Sequence, residues 1–95
     1  MGDEFVEQMA KRNVPLDFYS FHCYSRFVSS YTEVLEFAKN QLAKNGYNNT
    51  EIHLNEWNYI KGWLGDNWTY SLLSEKGIKG AATFATVTNA VYNVI

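Results

Sequence analysis

The chain is poor in several residue types and patterns, and each shortage excludes a class of protein. It has one cysteine, Cys23, so an internal disulfide framework is excluded. Eight basic residues against ten acidic ones leave no cationic excess, which argues against a nucleic-acid partner. No apolar run reaches the length of about 18 residues that a transmembrane helix needs, so we expect no membrane partner.

Signals for export and for metal binding are also missing. Residues 1–4 show no basic segment followed by an apolar one, so we expect no signal peptide and a cytoplasmic location. His22 and Cys23 are adjacent, and neighbours on a strand point to opposite faces, so they do not form a metal site with His53. We therefore expect neither a metal nor a cofactor.

Aromatic residues, by contrast, are abundant. Three Trp, seven Tyr and six Phe make up 17% of the chain, whereas a disordered segment contains few such residues. The length allows at most one domain, over residues 1–95. The core of so small a domain cannot bury this many rings, so the fold and the function must account for the aromatic excess.

The hydrophobic pattern predicts three helices. The first covers residues 3–12 and ends at Asn13 and Pro15. The second begins at a capping box formed by Ser30 and Glu33, presents an apolar face that includes Tyr31, and ends near residues 45–46. The third covers residues 77–95, and we interpret one side of it as a packing face: Ile78, Ala81, Ala82, Ala85 and Tyr92.

Two segments are predicted to be strands, at residues 16–24 and 51–58. Their starts, Asp17 and Glu51, are spaced as in one βαβ unit with parallel strands. Residues 59–74 are predicted as a loop with a short helix near residues 70–73. The predicted order is therefore α-β-α-β-α, an α/β fold. Two strands are too few for a parallel sheet, so we predict part of a larger domain whose open edges favour self-association into a homo-oligomer.

Residues capable of chemistry lie at the carboxyl ends of both predicted strands, where parallel α/β folds gather their functional groups. His22 and Tyr24 share one face of the first strand, and Glu56 is expected on the same face of the second strand as Ile52 and Leu54. A carboxylate held by histidine and tyrosine is a candidate nucleophile or general base. Alternatively, Glu56 is a carboxylate that faces water and His22 is an ordinary hydrogen-bonded core residue.

The segment after the second strand adds more aromatic side chains, among them Tyr59, Trp63, Trp68 and Tyr70. Aromatic faces beside polar groups suit pyranose rings, whose C–H faces are apolar and whose hydroxyls need hydrogen bonds. Trp63 and Trp68 are either sugar platforms or anchors of the loop. His53 is expected to face the helices. Carbohydrate is therefore the expected partner.

Residues 14–24, VPLDFYSFHCY, followed by residues 52–58, IHLNEWN, resemble glycoside hydrolase family 39. This family contains retaining enzymes similar to β-xylosidase and α-L-iduronidase. The resemblance extends over residues 14–90 and implies that the two strands are the sixth and seventh of a (β/α)8 TIM barrel. Arabinofuranosidases on the same barrel carry a segment similar to Asn-Glu-Trp-Asn, so the pair of segments is more specific than either alone.

The resemblance also implies roles for individual residues. Glu56 matches the catalytic nucleophile, and His22 and Tyr24 match the pair that contacts the nucleophile and the sugar. The expected substrate-binding residues are Trp57, Asn58, Tyr59, Trp63 and Trp68.

The chain departs from the family pattern in one large respect. A retaining glycosidase needs a second carboxyl group about 5–5.5 Å from the first, and in this family it ends strand four, which has no counterpart here. Asp17 lies about 20 Å from the strand ends, and Asp66 is expected to be a solvated turn residue. We predict a fragment of a retaining β-glycosidase that does not turn over glycosides alone. The alternative is a non-catalytic carbohydrate-binding or self-associating remnant.

Overall fold

The computed structural model describes residues 2–94, which form an α/β fold of four helices and an open sheet of two parallel strands. The elements are α1 (Gly2–Lys11), β1 (Phe18–Ser25), α2 (Val28–Lys44), β2 (Glu51–Tyr59), α3 (Gly65–Ser74) and α4 (Ile78–Val94). The predicted α/β class and the parallel strands are confirmed. Ile95, the last residue of the predicted final helix, lies outside the described residues.

The two strands pair along their whole length with one irregularity. Phe21 lies opposite Leu54, whereas His22 lies opposite Glu56, so Asn55 is an extra residue on β2. Such an insertion is a β-bulge, which interrupts the alternation of side chains between the two faces of a strand.

Helices α2 and α4 cover one face of the sheet. Tyr31 of α2 and Val87 of α4 are almost fully buried and form a cluster with Cys23 of β1. Leu54 and Trp57 pack against the same cluster from β2, one on each side of the bulge. The core therefore lies between this face and the two helices.

The opposite face of the sheet has no such cover within residues 2–94. Phe18 is half exposed, and its ring stacks on that of His53 with 5.1 Å between centroids. His53 lies opposite Ser20 in the ladder. The expectation that His53 faces the helices is therefore wrong, because its strand position shares a face with Phe18.

Helix α2 begins earlier than predicted. Its N-cap is Phe27, which makes no side-chain capping bond, so the predicted capping box at Ser30 and Glu33 is wrong. The Ser30 hydroxyl instead bonds the Ser25 hydroxyl at 2.9 Å and ties the helix to the end of β1. The buried side of α2 follows the predicted spacing and consists of Tyr31, Leu35, Ala38 and Leu42.

Helix α3 occupies most of the segment that was predicted to be a loop. Its buried residues are serines: Ser71 bonds the Asn67 carbonyl at 2.7 Å, and Ser74 bonds the Tyr70 carbonyl at 2.8 Å. Because the buried side of α3 is polar, the sequence carries no apolar periodicity there from which a full-length helix could be predicted.

Helix α4 buries a different side from the one predicted. Val87 is buried, and Val91 packs against the same cluster. The predicted packing face is instead exposed, with Ile78 at 90% and Tyr92 at 76% of their full accessible areas. The same holds for the three small residues of that face, Ala81, Ala82 and Ala85.

The result is a flat slab of 46 × 28 × 17 Å with a radius of gyration of 15.5 Å. A compact chain of this length has a radius of about 12 Å. Within residues 2–94, no helix combines the length and the apolar character needed to cross a membrane.

Candidate functional site

Glu56 and His22 contact each other on the uncovered face, at the carboxyl end of the sheet. His22 Nδ1 lies 3.0 Å from Glu56 Oε2, and the two side chains are 52% and 58% exposed, respectively. The extra residue Asn55 brings Glu56 to this face. The expectation that Glu56 shares a face with Ile52 and Leu54 is therefore wrong, although the predicted grouping with His22 is present.

Tyr24 completes the cluster. Its ring meets the His22 ring edge-on, with 6.3 Å between centroids. A hydrogen bond to the Glu56 carboxylate raises the pKa of the Tyr24 phenol, because the phenol donates and a phenolate would face a negative charge. Glu56 is thus held between an imidazole and a phenol, which orients the carboxylate for attack on an electrophilic carbon or for proton transfer.

An aromatic pocket adjoins this cluster. The rings of Tyr24 and Trp63 meet edge-on at 5.5 Å, and those of Trp63 and Trp68 stack at 5.6 Å. The pocket has a volume of about 190 Å³, and Leu72 and Glu75 of the α3 region form part of its wall. Trp63 is 58% exposed, so its apolar ring surface is accessible to a ligand. This surface lies next to Tyr24, which in turn neighbours Glu56.

Asn58 and Glu75 supply the polar side of the pocket. Asn58 lies opposite Tyr24 in the ladder, and its Nδ2 donates to Glu75 Oε1 at 3.3 Å. Its Oδ1 accepts the Tyr59 N–H at 2.8 Å, which fixes the orientation of the amide. Glu75 is a site residue that the sequence did not indicate, because only the folding of α3 brings this distant position to the end of β2.

Two of the predicted substrate-binding residues lie on the other side of the sheet. Trp57 stacks on Phe84 at 5.5 Å and meets Tyr31 edge-on at 5.9 Å. Tyr59 is buried, and its ring lies 5.0 Å from Lys79 Nζ. The structure therefore groups Asn58, Trp63 and Trp68 with the Glu56 cluster, but places Trp57 and Tyr59 among the helices.

Tyr31 ties the two strand ends together beneath the site. Its hydroxyl accepts the Ser25 N–H at 3.2 Å and donates to the Asn58 carbonyl at 2.7 Å. Burial raises the pKa of this phenol. Ser25 directly follows Tyr24, so the hydroxyl fixes the backbone on which Tyr24 and Asn58 stand. The sequence indicated Tyr31 only as a core residue; its buried hydroxyl was the signal that a partner was required.

The other acidic residues considered from the sequence lie elsewhere. Asp17 precedes β1, and its carbonyl accepts the Glu51 N–H at 3.0 Å, at the amino end of the sheet. Asp66 is exposed in the first turn of α3. Glu51 contacts His53, with 2.9 Å between Oε2 and Nε2. Among residues 2–94, no three His, Cys, Asp or Glu side chains are arranged to hold a metal ion.

Comparison with protein-family models, with curated proteins and with solved structures gives no match to this chain. The resemblance to glycoside hydrolase family 39 therefore stays a prediction. The features of the chain that bear on its function are the geometry of Glu56, His22 and Tyr24 and the pocket beside them.

Proposed function

We propose that the chain is the nucleophile-bearing part of a TIM-barrel retaining β-glycosidase domain similar to β-xylosidases. The observation that carries the proposal is the Glu56 carboxylate, which is held by His22 and Tyr24 at the carboxyl end of two parallel strands. This is the edge at which parallel α/β enzymes place their chemistry. The face on which the three side chains stand is open to a substrate.

In the complete domain, a Glu56 oxygen attacks the anomeric carbon while the bond from that carbon to the leaving oxygen breaks. A second carboxylic acid protonates the leaving oxygen, and water then releases the sugar from Glu56. The Tyr24 phenol donates to the carboxylate and His22 Nδ1 lies 3.0 Å from its Oε2, so both side chains orient Glu56 for this attack. Since the second acid belongs to strand four, the isolated chain is expected to bind glycosides without hydrolysing them.

The pocket beside Glu56 supports a carbohydrate as the ligand. Trp63 and Trp68 offer ring surface to the C–H face of a pyranose, and Asn58 and Glu75 offer hydrogen-bond partners to its hydroxyls. The choice of a xylose-type sugar comes from the family resemblance.

Binding is tested by titrating xylo-oligosaccharides against the chain while tryptophan fluorescence is recorded. We expect saturable binding that Trp63→Ala weakens by about tenfold or more. Trp57→Phe is the matched control, because Trp57 faces the helices, and it leaves the dissociation constant unchanged. An absence of saturable binding would contradict the proposed site.

Turnover is tested separately with an aryl β-xyloside. The expected result is no release of the aryl group by the chain alone. Hydrolysis that Glu56→Gln abolishes would show that the chain is a complete enzyme, and the fragment proposal would then be wrong.

A second candidate is a non-catalytic carbohydrate-binding remnant. It is favoured by the exposure of Glu56 and His22, since catalytic sites commonly exclude water. In that case the chain and its Glu56→Gln variant bind the sugar with similar dissociation constants. No covalent bond between the protein and a reactive sugar forms.

A further inference from the structure

The loop that joins β2 to α3, residues 60–64, is attached to its surroundings through its backbone. The Ile60 N–H donates to the Ser25 carbonyl at 3.3 Å. The next N–H, that of Lys61, donates to the Ser71 hydroxyl at 2.8 Å. The start of the loop is therefore fixed both to the end of β1 and to the side of α3.

The Ser71 hydroxyl that receives the loop is buried and uses both of its hydrogen-bonding roles. Ser71 is 3% exposed, and its hydroxyl donates to the Asn67 carbonyl at 2.7 Å while it accepts from Lys61. Ser74 is also buried, and its hydroxyl donates to the Tyr70 carbonyl at 2.8 Å, so this hydrogen bond lies entirely within α3. Of the two buried serines, Ser71 is thus the one that joins the helix to the loop.

Two further contacts hold the loop against α3. A Cβ atom added at Gly62 would lie 2.8 Å from the Asn67 Cβ, so the loop backbone approaches the helix too closely to carry a side chain there. The Lys61 ammonium lies 4.7 Å from the centre of the Tyr70 ring, which is a cation–π contact. Because Trp63 follows these two residues directly, their attachment to α3 determines where its side chain begins.

The Trp63 ring stands at the proposed sugar pocket. It meets Tyr24 edge-on at 5.5 Å and stacks on Trp68 at 5.6 Å. A binding surface that is already ordered in the free protein loses less conformational entropy when the ligand arrives. The placement of Trp63 before binding therefore contributes to affinity.

We propose that Ser71 is a positioning residue for the carbohydrate pocket: its hydroxyl holds the loop so that Trp63 is in place before the sugar binds. This role rests on the proposed function, because it requires that a sugar uses the Trp63 ring. The residues that make the contacts all belong to this chain, so the role does not depend on what covers its open faces.

Sugar binding to Ser71→Ala and Ser74→Ala, followed by tryptophan fluorescence with xylo-oligosaccharides, tests the proposal. We expect Ser71→Ala to raise the dissociation constant by about threefold to tenfold, because ordering of the loop then opposes binding. Ser74→Ala is the matched control: it removes a buried hydroxyl from the same helix without changing the loop, so the dissociation constant stays that of the parent chain. Gly62→Ala displaces the loop without altering the buried side of α3, and a similar loss of affinity is expected even if Ser71→Ala does not fold.

A double-mutant cycle with Trp63→Ala shows whether Ser71 acts through Trp63. Once the ring is removed, Ser71→Ala is expected to cause no further change in the dissociation constant, whereas a serine that only stabilised the fold would have the same effect in both backgrounds. Hydrogen exchange measured by NMR without sugar follows the loop itself. The Lys61 N–H is expected to exchange faster in Ser71→Ala than in Ser74→Ala.

The proposal alone is overturned if the parent chain binds sugar and Ser71→Ala binds it equally well. Equal weakening in Ser71→Ala and Ser74→Ala, or an equal further loss in the Trp63→Ala background, also overturns it. If the parent chain binds no sugar, both the carbohydrate site and this role of Ser71 are wrong, even where the exchange of the Lys61 N–H responds as expected.

Discussion

At the level of single residues, the site depends on how Glu56 is held. His22 and Tyr24 stand two positions apart on β1 and both reach one carboxylate. Although Glu56 is 58% exposed, its contacts with His22 and Tyr24 restrict the orientations that its carboxylate takes. Contact with Glu56 raises the pKa of the Tyr24 phenol, so the pKa of Tyr24 reports whether this arrangement is present.

Glu56→Gln is expected to lower the pKa of Tyr24 toward its ordinary value, because the hydrogen bond to the carboxylate and the carboxylate's negative charge are both removed. In the parent chain the folded pKa is raised, so the contribution of Tyr24 to stability is present below the ordinary phenol pKa and is lost as the pH rises through the raised one. The measurement is an NMR titration of ¹³C-labelled tyrosine, with Tyr24→Phe to assign the signal.

The control for this titration is Glu51→Gln. It removes a carboxylate from the same strand, but one that contacts His53 at the amino end of the sheet. The Tyr24 pKa should not change. An equal shift in both variants would mean that the general charge of the strand, and not contact with Glu56, raises the pKa.

Tyr31→Phe is expected to lower the free energy of unfolding by about 1–2 kcal/mol, because the Ser25 N–H and the Asn58 carbonyl lose a buried partner. Urea denaturation measures the change. Tyr47→Phe is the comparison, since its hydroxyl bonds the Val14 carbonyl at an exposed site, and it should cost about 0.5 kcal/mol. Equal costs would argue that the Tyr31 hydroxyl does not tie the strand ends.

At the level of secondary-structure elements, the bulge in β2 decides which side chains form the site. In a regular strand, alternation places Glu56 with Ile52 and Leu54; with the bulge at Asn55, Glu56 faces His22 and Trp57 turns toward the helices. The structure thus separates two tryptophans that the sequence grouped, Trp57 and Trp63.

Truncation of these tryptophans should therefore have different effects. Trp57→Ala should reduce the free energy of unfolding by about 2 kcal/mol or more, because it leaves a cavity between Phe84 and Tyr31. Trp63→Ala should cost about 1 kcal/mol or less, since Trp63 is largely exposed. Urea denaturation followed by circular dichroism measures both. The reverse order would contradict the placement of the two residues.

Much of this arrangement follows from local sequence signals. The two strands, α1 and α2 follow from hydrophobic spacing, and the gathering of His22, Tyr24 and Glu56 at one end of the sheet follows from the geometry of parallel strands. The bulge that places all three side chains on one face does not follow from these signals, because it depends on packing across the sheet. Helix α3 does not either, because Ser71 and Ser74 bury hydroxyls in place of apolar groups. Glu75 joins the site only through that helix.

At the level of the whole molecule, the aromatic excess has two explanations. Some rings line the pocket beside Glu56, as Trp63 and Trp68 do. Others lie on surfaces that the chain leaves open, such as Phe18 on the bare sheet and Tyr92 on α4. The chain is a slab 17 Å thick that exposes 6719 Å², and in the proposed barrel domain further elements would cover part of this area.

The central claim, that Glu56 is a glycosidase nucleophile, is tested most directly by covalent trapping. The reagent is a β-xylosyl fluoride in which fluorine also replaces the hydroxyl next to the anomeric carbon. Fluoride leaves without help from an acid, so the missing second carboxyl group does not prevent attack, and the added fluorine slows release of the sugar. We predict one sugar per chain by mass spectrometry, attached at Glu56 and absent in Glu56→Gln. No adduct under saturating reagent, or attachment elsewhere, would contradict the assignment.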